Sequence, residues 1–251
     1  MTYNPFSLKN KIILVTGASS GIGKSIAVEC AKMGATLIVT GRDKSRLNET
    51  FVMLEGTDHL QFIADLNSDQ DIQSLTEHIP AIDGLVHSAG ISGHKPFSFL
   101  KETEIKDMFS VNFFAPAKLT IGLLRAKRIN KEASIVFVTS VSGILTSYFG
   151  GSLYSSTKGA INGLIKGMAL DLSPKKIRVN GVMPAMIETA ILENGNLTDE
   201  QFESDRKKYP LGRYGRPEEV AYAAIYLLSD ASSWTTGTNI LLDGGKTTSY
   251  S

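Results

Sequence analysis

The chain of 251 residues is 42% hydrophobic and 20% charged, and its 26 Lys and Arg against 25 Asp and Glu leave a formal net charge of +1. That length suits one large α/β domain or two small ones, and the balanced charge without a basic stripe argues against nucleic-acid or membrane-surface binding. The lone Cys30 cannot form an internal disulfide, residues 1–11 lack the apolar run of a signal peptide, and no stretch approaches the roughly 18 apolar residues of a membrane span. A cytoplasmic protein is expected.

Apolar, β-branched runs alternate with amphipathic stretches. In chain order the pattern predicts a strand over 12–16, helix 22–33, strand 36–40, helix 44–54, strand 59–64, helix 69–78 and strand 82–87. A long helix over 103–130 follows, then strand 134–140, helix 153–172, strand 177–183, helix 217–229 and strand 239–242. Continuous apolar strands alternating with helices predict an α/β, doubly wound, seven-stranded parallel sheet with helices on both faces. No linker, repeat or low-complexity segment divides the chain, so a single domain over 1–251 is expected. Residues 185–215 are irregular and punctuated by Gly195, Pro210, Gly212 and Gly215, as in a substrate lid or a surface excursion.

The first strand runs into Thr16-Gly17-Ala18-Ser19-Ser20-Gly21-Ile22-Gly23. Glycines at a strand-to-helix turn allow a tight bend and close approach of the backbone to a pyrophosphate, and the helix amino terminus offers N–H groups and positive dipole. The spacing G-x-x-x-G-x-G differs from the commoner G-x-G-x-x-G. At the end of the second strand an acidic residue would hold a ribose 2′-hydroxyl and a basic one a 2′-phosphate. The residues are Thr40-Gly41-Arg42, which favours NADP(H) over NAD(H), although Asp43 stands one step away. Asp65-Leu66 follows the third strand, where Asp65 either caps the next helix or meets an adenine edge. Ser88-Ala89-Gly90 puts small residues where a cofactor passes the fourth strand.

Tyr154 and Lys158, spaced i,i+4, share one face of a helix near the carboxyl edge of the sheet. A phenol with pKa about 10 must fall by some 3 units to exchange a proton near neutrality, which is about 4 kcal/mol. An ammonium about 4 Å away at an effective dielectric of about 20 supplies a similar energy. Ser140, at the end of the fifth strand, offers a hydroxyl to a substrate carbonyl, with Ser142 as a rival. Pro116 lacks an N–H, so the carbonyl of Asn112 loses its helical partner and is free to hold a relay water, or the helix simply kinks there.

Together these residues resemble the short-chain dehydrogenase/reductase family in its compact branch, over nearly the whole chain. The resemblance rests on Thr16-Gly17-x-x-x-Gly21-Ile22-Gly23, Asp65, Ser88-Ala89-Gly90, Asn112, Ser140, Tyr154-x-x-x-Lys158, Arg178-Val179-Asn180 with Pro184 and Thr189, and Asp243-Gly244-Gly245. It implies a Rossmann fold with Tyr154 as general acid/base, Ser140 orienting the carbonyl, and Lys158 lowering the Tyr154 pKa and holding the nicotinamide ribose. It further implies Asn112 anchoring a water relay, Asp65 at the adenine, and Ile187 and Thr189 at the carboxamide. With Ser19, Ser20, Leu66 and Pro184, these complete the expected site, and no metal is expected.

Three departures stand out. His87-Ser88-Ala89-Gly90 replaces the family's usual Asn-Asn-Ala-Gly, Pro184-Ala185 replaces Pro-Gly, and Ser140 and Tyr154 are 14 residues apart where many members have 13. The expected activity is NADP(H)-dependent interconversion of a carbonyl and a secondary alcohol, with a 3-oxoacyl thioester as one candidate substrate. Alternatives are a catalytically silent dinucleotide-binding regulator and a sugar or polyol dehydrogenase of the same family; the glycine spacing disfavours an extended-branch epimerase. Arg125, Lys127, Arg128 and Lys131 are candidates for attracting an acidic carrier, against the plainer reading that bases settle at a helix end. Phe97, Phe99, Met186, Ile191 and Phe202 are candidate pocket lining. The resemblance implies a homotetramer built from the helices near 103–130 and 153–172 and from the carboxyl-terminal region bracketed by Trp234 and Tyr250.

Overall fold

A computed structural model describes residues 3–189 and 199–248. The elements are β1 (Ile12–Thr16), α1 (Gly21–Lys32), β2 (Thr36–Gly41), α2 (Lys44–Phe51), β3 (Leu60–Ile63), α3 (Asp69–His78) and β4 (Ile82–His87). Next come α4 (Glu102–Phe109), a π-helical turn (Ser110–Phe114), α5 (Ala115–Arg125), β5 (Ile129–Val138) and α6 (Ser152–Asp171). The chain continues through β6 (Arg178–Pro184), α7 (Asp199–Arg206), α8 (Pro217–Leu228) and β7 (Asn239–Leu242). All strand pairs are parallel, in the order β3-β2-β1-β4-β5-β6-β7.

Burial on both faces explains the unbroken apolar strands. Val15, Val39, Val86 and Val136 project to one side against Ile26 of α1 and Val220 and Leu227 of α8. Their chain neighbours Leu14, Ile38, Leu85 and Ile135 project to the other, against Leu75 of α3, Leu119 of α5 and Ile161 of α6. The strand order reverses between β1 and β4, and in open α/β sheets a crevice opens there at the carboxyl ends.

Three elements differ from the sequence reading, the first being α7, which forms within the stretch 185–215 read as irregular. The helix expected over 103–130 is broken into α4, the π turn and α5, and Asn130 belongs to β5. Pro116 causes no kink within a continuous helix: it sits in the first turn of α5, where a missing N–H costs little, and the wide turn before it closes with Ala115 N–H donating to the Ser110 carbonyl. β5 begins five residues before the expected 134 because its register against β4 shifts between Ile82 and Gly84, and regular pairing resumes at Ser134.

Of the region 185–215, residues 190–198, with Ile191, lie outside the described residues, as does Tyr250. Its two described ends are joined by Glu188 N–H to the Gly215 carbonyl (2.8 Å) and Gly215 N–H to the Met186 carbonyl (3.0 Å). Tyr214 packs edge-on against Tyr209 and Phe202.

His87 ends β4 buried, stacked on Phe137 at 4.7 Å. Thr120 donates its hydroxyl proton to the Pro116 carbonyl, so Nε2–H of His87 is the donor in the 2.8 Å bond to Thr120. Burial drives the His87 pKa down to about 3 from 6.5. The unfolded chain binds this proton more readily than the folded one, so stability is full above about pH 6.5 and falls as pH drops towards 3. Chemical denaturation across this range is expected to show wild type losing on the order of a few kcal/mol more than His87→Asn, which removes the titrating ring.

Candidate active site

A cavity of about 390 Å³ runs along the carboxyl ends of β1, β2, β4 and β5. Gly17, Ser19, Ser20, Gly21, Ile22 and Gly23 form its floor. Gly17 and Gly21 have φ of 65° and 53°, in the left-handed region that favours glycine. A Cβ on Gly17 would meet the Ala89 backbone at 2.7 Å, and one on Gly23 would meet the Gly17 carbonyl at 2.3 Å. These two glycines therefore serve close packing of the turn, whereas Gly21 would meet only the Thr189 methyl at 3.4 Å. Ser20 caps α1 with extended backbone and no side-chain cap bond, and the first turn carries no acidic residue. Its N–H groups are thus without the usual side-chain acceptor, which fits a dinucleotide pyrophosphate.

At the adenosine end stand Arg42, Asp65 and Leu66. Arg42 is exposed and has no hydrogen bond or ion pair with a described residue. Asp43 caps α2, accepting from Arg46 N at 3.0 Å. Asp65 is not the cap of α3: Ser68 takes that place, while Asp65 Oδ1 accepts from Asn67 N at 3.0 Å. Ser88, Ala89 and Gly90 line the middle, and Pro184, Ile187 and Thr189 close the far end beside Tyr154 and Lys158.

Ser140 lines that end and Ser142 does not. Instead the Ser142 amide donates to Ser140 Oγ at 3.1 Å, which occupies a lone pair and leaves the Ser140 proton to be given on the cavity side, where Tyr154 stands. Lys158 Nζ donates to the Val138 carbonyl at 2.8 Å and lies 5.7 Å from the centre of the Tyr154 ring. The protein groups alone do not depress the tyrosine: burial pushes Tyr154 up to about 12, partly offset by a hydrogen bond from Ser140. Burial also pushes Lys158 down to about 8. The Coulomb attraction expected of Lys158 leaves desolvation out of account, and here desolvation is the larger effect on both groups.

Asn112 is the one predicted site residue absent from the cavity lining. Its buried side chain accepts from Ile91 N (2.8 Å) and donates to Ile91 O (2.8 Å) and Thr157 Oγ1 (3.1 Å). Both Nδ2 protons are thereby used, so Asn112 clamps the chain after Gly90 to α6 between Tyr154 and Lys158.

The apolar candidates Phe97, Phe99, Met186 and Phe202 do not line the cavity. Phe97 and Phe99 face outward, and Phe202 packs on Tyr214. The basic residues Arg125, Lys127, Arg128 and Lys131 flank the start of β5, at the opposite edge of the sheet from Ser140. Sequence reasoning missed Arg46, which lines the adenosine end and is legible only as a second arginine one helical turn after Arg42. It also missed Thr16, whose hydroxyl donates to Val86 O (3.2 Å) and accepts from Ser88 N (3.2 Å) and Ala89 N (3.3 Å).

A parallel sheet in this order, with a glycine turn at the switch point and a Ser-Tyr-Lys group across the crevice, defines a dinucleotide-dependent oxidoreductase of Rossmann type. A family model described as enoyl-(acyl carrier protein) reductase matches residues 17–247. The chain is 32% identical to 3-oxoacyl-(acyl-carrier-protein) reductase of Aquifex aeolicus over 95% of this chain and 98% of that protein. It is also 32% identical to the NADP-dependent (R)-specific alcohol dehydrogenase of Lentilactobacillus kefiri, over 96% and 98%. Among solved structures, a gluconate 5-dehydrogenase from Burkholderia cenocepacia in complex with NADP and tartrate superimposes with a TM-score of 0.88 at 26% identity, covering 98% of each chain. The chain belongs to the short-chain dehydrogenase/reductase family, and it is an oxidoreductase acting on CH–OH or carbonyl groups with NAD(P).

Burial of Lys158 carries a stability cost that is full below its folded pKa of about 8, shrinks as pH rises, and vanishes near the unfolded value of 10.5. Lys158→Met is therefore expected to be more stable than wild type at pH 7 by on the order of 2–3 kcal/mol. Thermal melts at stepped pH should show the two proteins converging above pH 8.

Proposed function

We propose that the protein interconverts a carbonyl and a secondary alcohol with NADP(H), using Tyr154 as general acid/base. The observation that carries this reading is that Ser140, Tyr154 and Lys158 share one end of a single cavity whose other end holds Arg42, which has no hydrogen bond or ion pair with a described residue. A bound nicotinamide supplies the hydride. Ser140 Oγ–H orients the substrate oxygen, and the Tyr154 hydroxyl gives its proton to that oxygen as negative charge develops there. Lys158, held on Val138 O, keeps positive charge near the phenolate left behind. Asn112 acts on this step through position, by fixing α6 against the chain after Gly90.

With its pKa held up at about 12, Tyr154 is a proton donor at neutral pH, which supports carbonyl reduction over alcohol oxidation. The reductive rate is expected to stay level from about pH 6 to 7 and to fall as Lys158 loses its proton near pH 8, whereas the oxidative rate climbs from about pH 6 to 8, because it needs the phenolate. Parallel pH profiles with a ketone and its alcohol check this. Tyr154→Phe should lower kcat by at least about a thousandfold while leaving the Kd for NADPH within about twofold. NADPH binding by wild type without turnover on a broad carbonyl panel would favour the silent regulator instead.

Relatives named as 3-oxoacyl-carrier reductases support a 3-oxoacyl thioester as substrate, and the gluconate 5-dehydrogenase neighbour supports a polyol as the competing class. Residues 185–215 act as the substrate lid, with Ile187 and Gly215 as its stem. A cytoplasmic homotetramer completes the reading. It is supported by exposed apolar residues along the implied contact helices, namely Phe114, Ile121 and Leu170, and by Trp234, which is 100% exposed. Light scattering at micromolar concentration should give four times the chain mass of 27.1 kDa; a monomer would contradict it.

A further inference from the structure

The NADP(H) reading rests on Arg42, yet a second guanidinium, Arg46, lines the same end of the cavity. Arg46 Nε–H donates to Asp43 Oδ2 at 2.8 Å, while its backbone N–H donates to Asp43 Oδ1 at 3.0 Å. One residue thus engages both oxygens of the carboxylate that stood as the alternative partner of a ribose 2′-hydroxyl. Two of the carboxylate's roughly four acceptor sites are thereby taken and its plane is set by Arg46, so Asp43 is turned to the arginine first and to a ribose hydroxyl only with what is left.

The same bonds act on Arg46. The Nε bond fixes the plane of the guanidinium and leaves its two terminal nitrogens without a hydrogen bond to a described residue. A phosphomonoester carries about −1.5 to −2 charge near neutrality, more than one guanidinium neutralises, and a planar fork matches its oxygens. The Asp43–Arg46 pair is itself a weak stabiliser, since its side chains are 39% and 58% exposed. Its geometry is therefore free to serve the cavity.

We propose that Arg46 is a second anion-binding arm of this site, acting with Arg42 on the 2′-phosphate and held in place by Asp43. The inference rests on the NADP(H) reading and adds to it a residue four positions further along the chain. It also gives Asp43 a positioning role in place of a recognition role.

Calorimetric binding of 2′,5′-ADP and of 5′-AMP separates the two layers, because the ligands differ only in the 2′-phosphate and neither requires turnover. Wild type is expected to prefer 2′,5′-ADP. Arg46→Ala should weaken 2′,5′-ADP about tenfold and 5′-AMP by less than about twofold, with Arg46→Gln, which keeps most of the side chain, behaving alike. Equal loss for both ligands would overturn the proposal in favour of a role in shaping the start of α2, as would no loss for either. If Arg42→Ala removes the preference and Arg46→Ala does not, the second arm fails and NADP(H) selection stands. If wild type shows no preference, the cofactor reading fails and this inference with it.

Discussion

The Thr16 hydroxyl is the point on which the site depends. At the place where the strand order reverses, the two central strands would part, and a crevice there needs edges at a fixed separation. Thr16 supplies this by donating to β4 before its end and accepting two amides just beyond it. Because it is buried, the three bonds meet little competition from water. The next residue, Gly17, is pressed onto Ala89 so closely that no side chain fits between them. Turn and strand end thus form one block, and Asn112 extends that block from Ile91 to α6. The catalytic side chains are positioned relative to the cofactor turn by a short run of hydrogen bonds and without long loops.

Much of this was legible beforehand because the signals were local. Helix α3, strand β4 and strand β7 fall where apolar periodicity puts them, and Gly17 and Gly21 adopt backbone that few other residues can, while Gly23 packs against Gly17. What was not legible depends on pairing across the chain. The start of β5 follows from a register shift against β4, and Phe202 turns away because Tyr214 offers it an edge. The bonds of the Asn112 side chain were illegible for the same reason: its sequence context speaks only of its main-chain carbonyl, while the side chain answers to Ile91 and Thr157, 21 and 45 residues away.

Tyr154 and Lys158 pull against each other in an instructive way. Each is displaced by burial towards its neutral form, the phenol upward and the amine downward. Bringing them together therefore costs folding energy that packing elsewhere offsets, and a site tuned for stability alone would have neither group. The gain is a proton donor that stays loaded at neutral pH beside a cation able to receive the charge it leaves.

The π-helical turn sets a limit on how this chain can vary. Such a turn is an ordinary helix with one residue too many, and each helical residue advances the phase by about 100°. Losing a residue between Ser110 and Phe114 would restore regular winding and swing α4 around α5, turning Asn112 off Ile91 and Thr157 even though every side chain of the active site was kept. The segment can absorb changes of letter more readily than changes of count, and its length is part of the catalytic design.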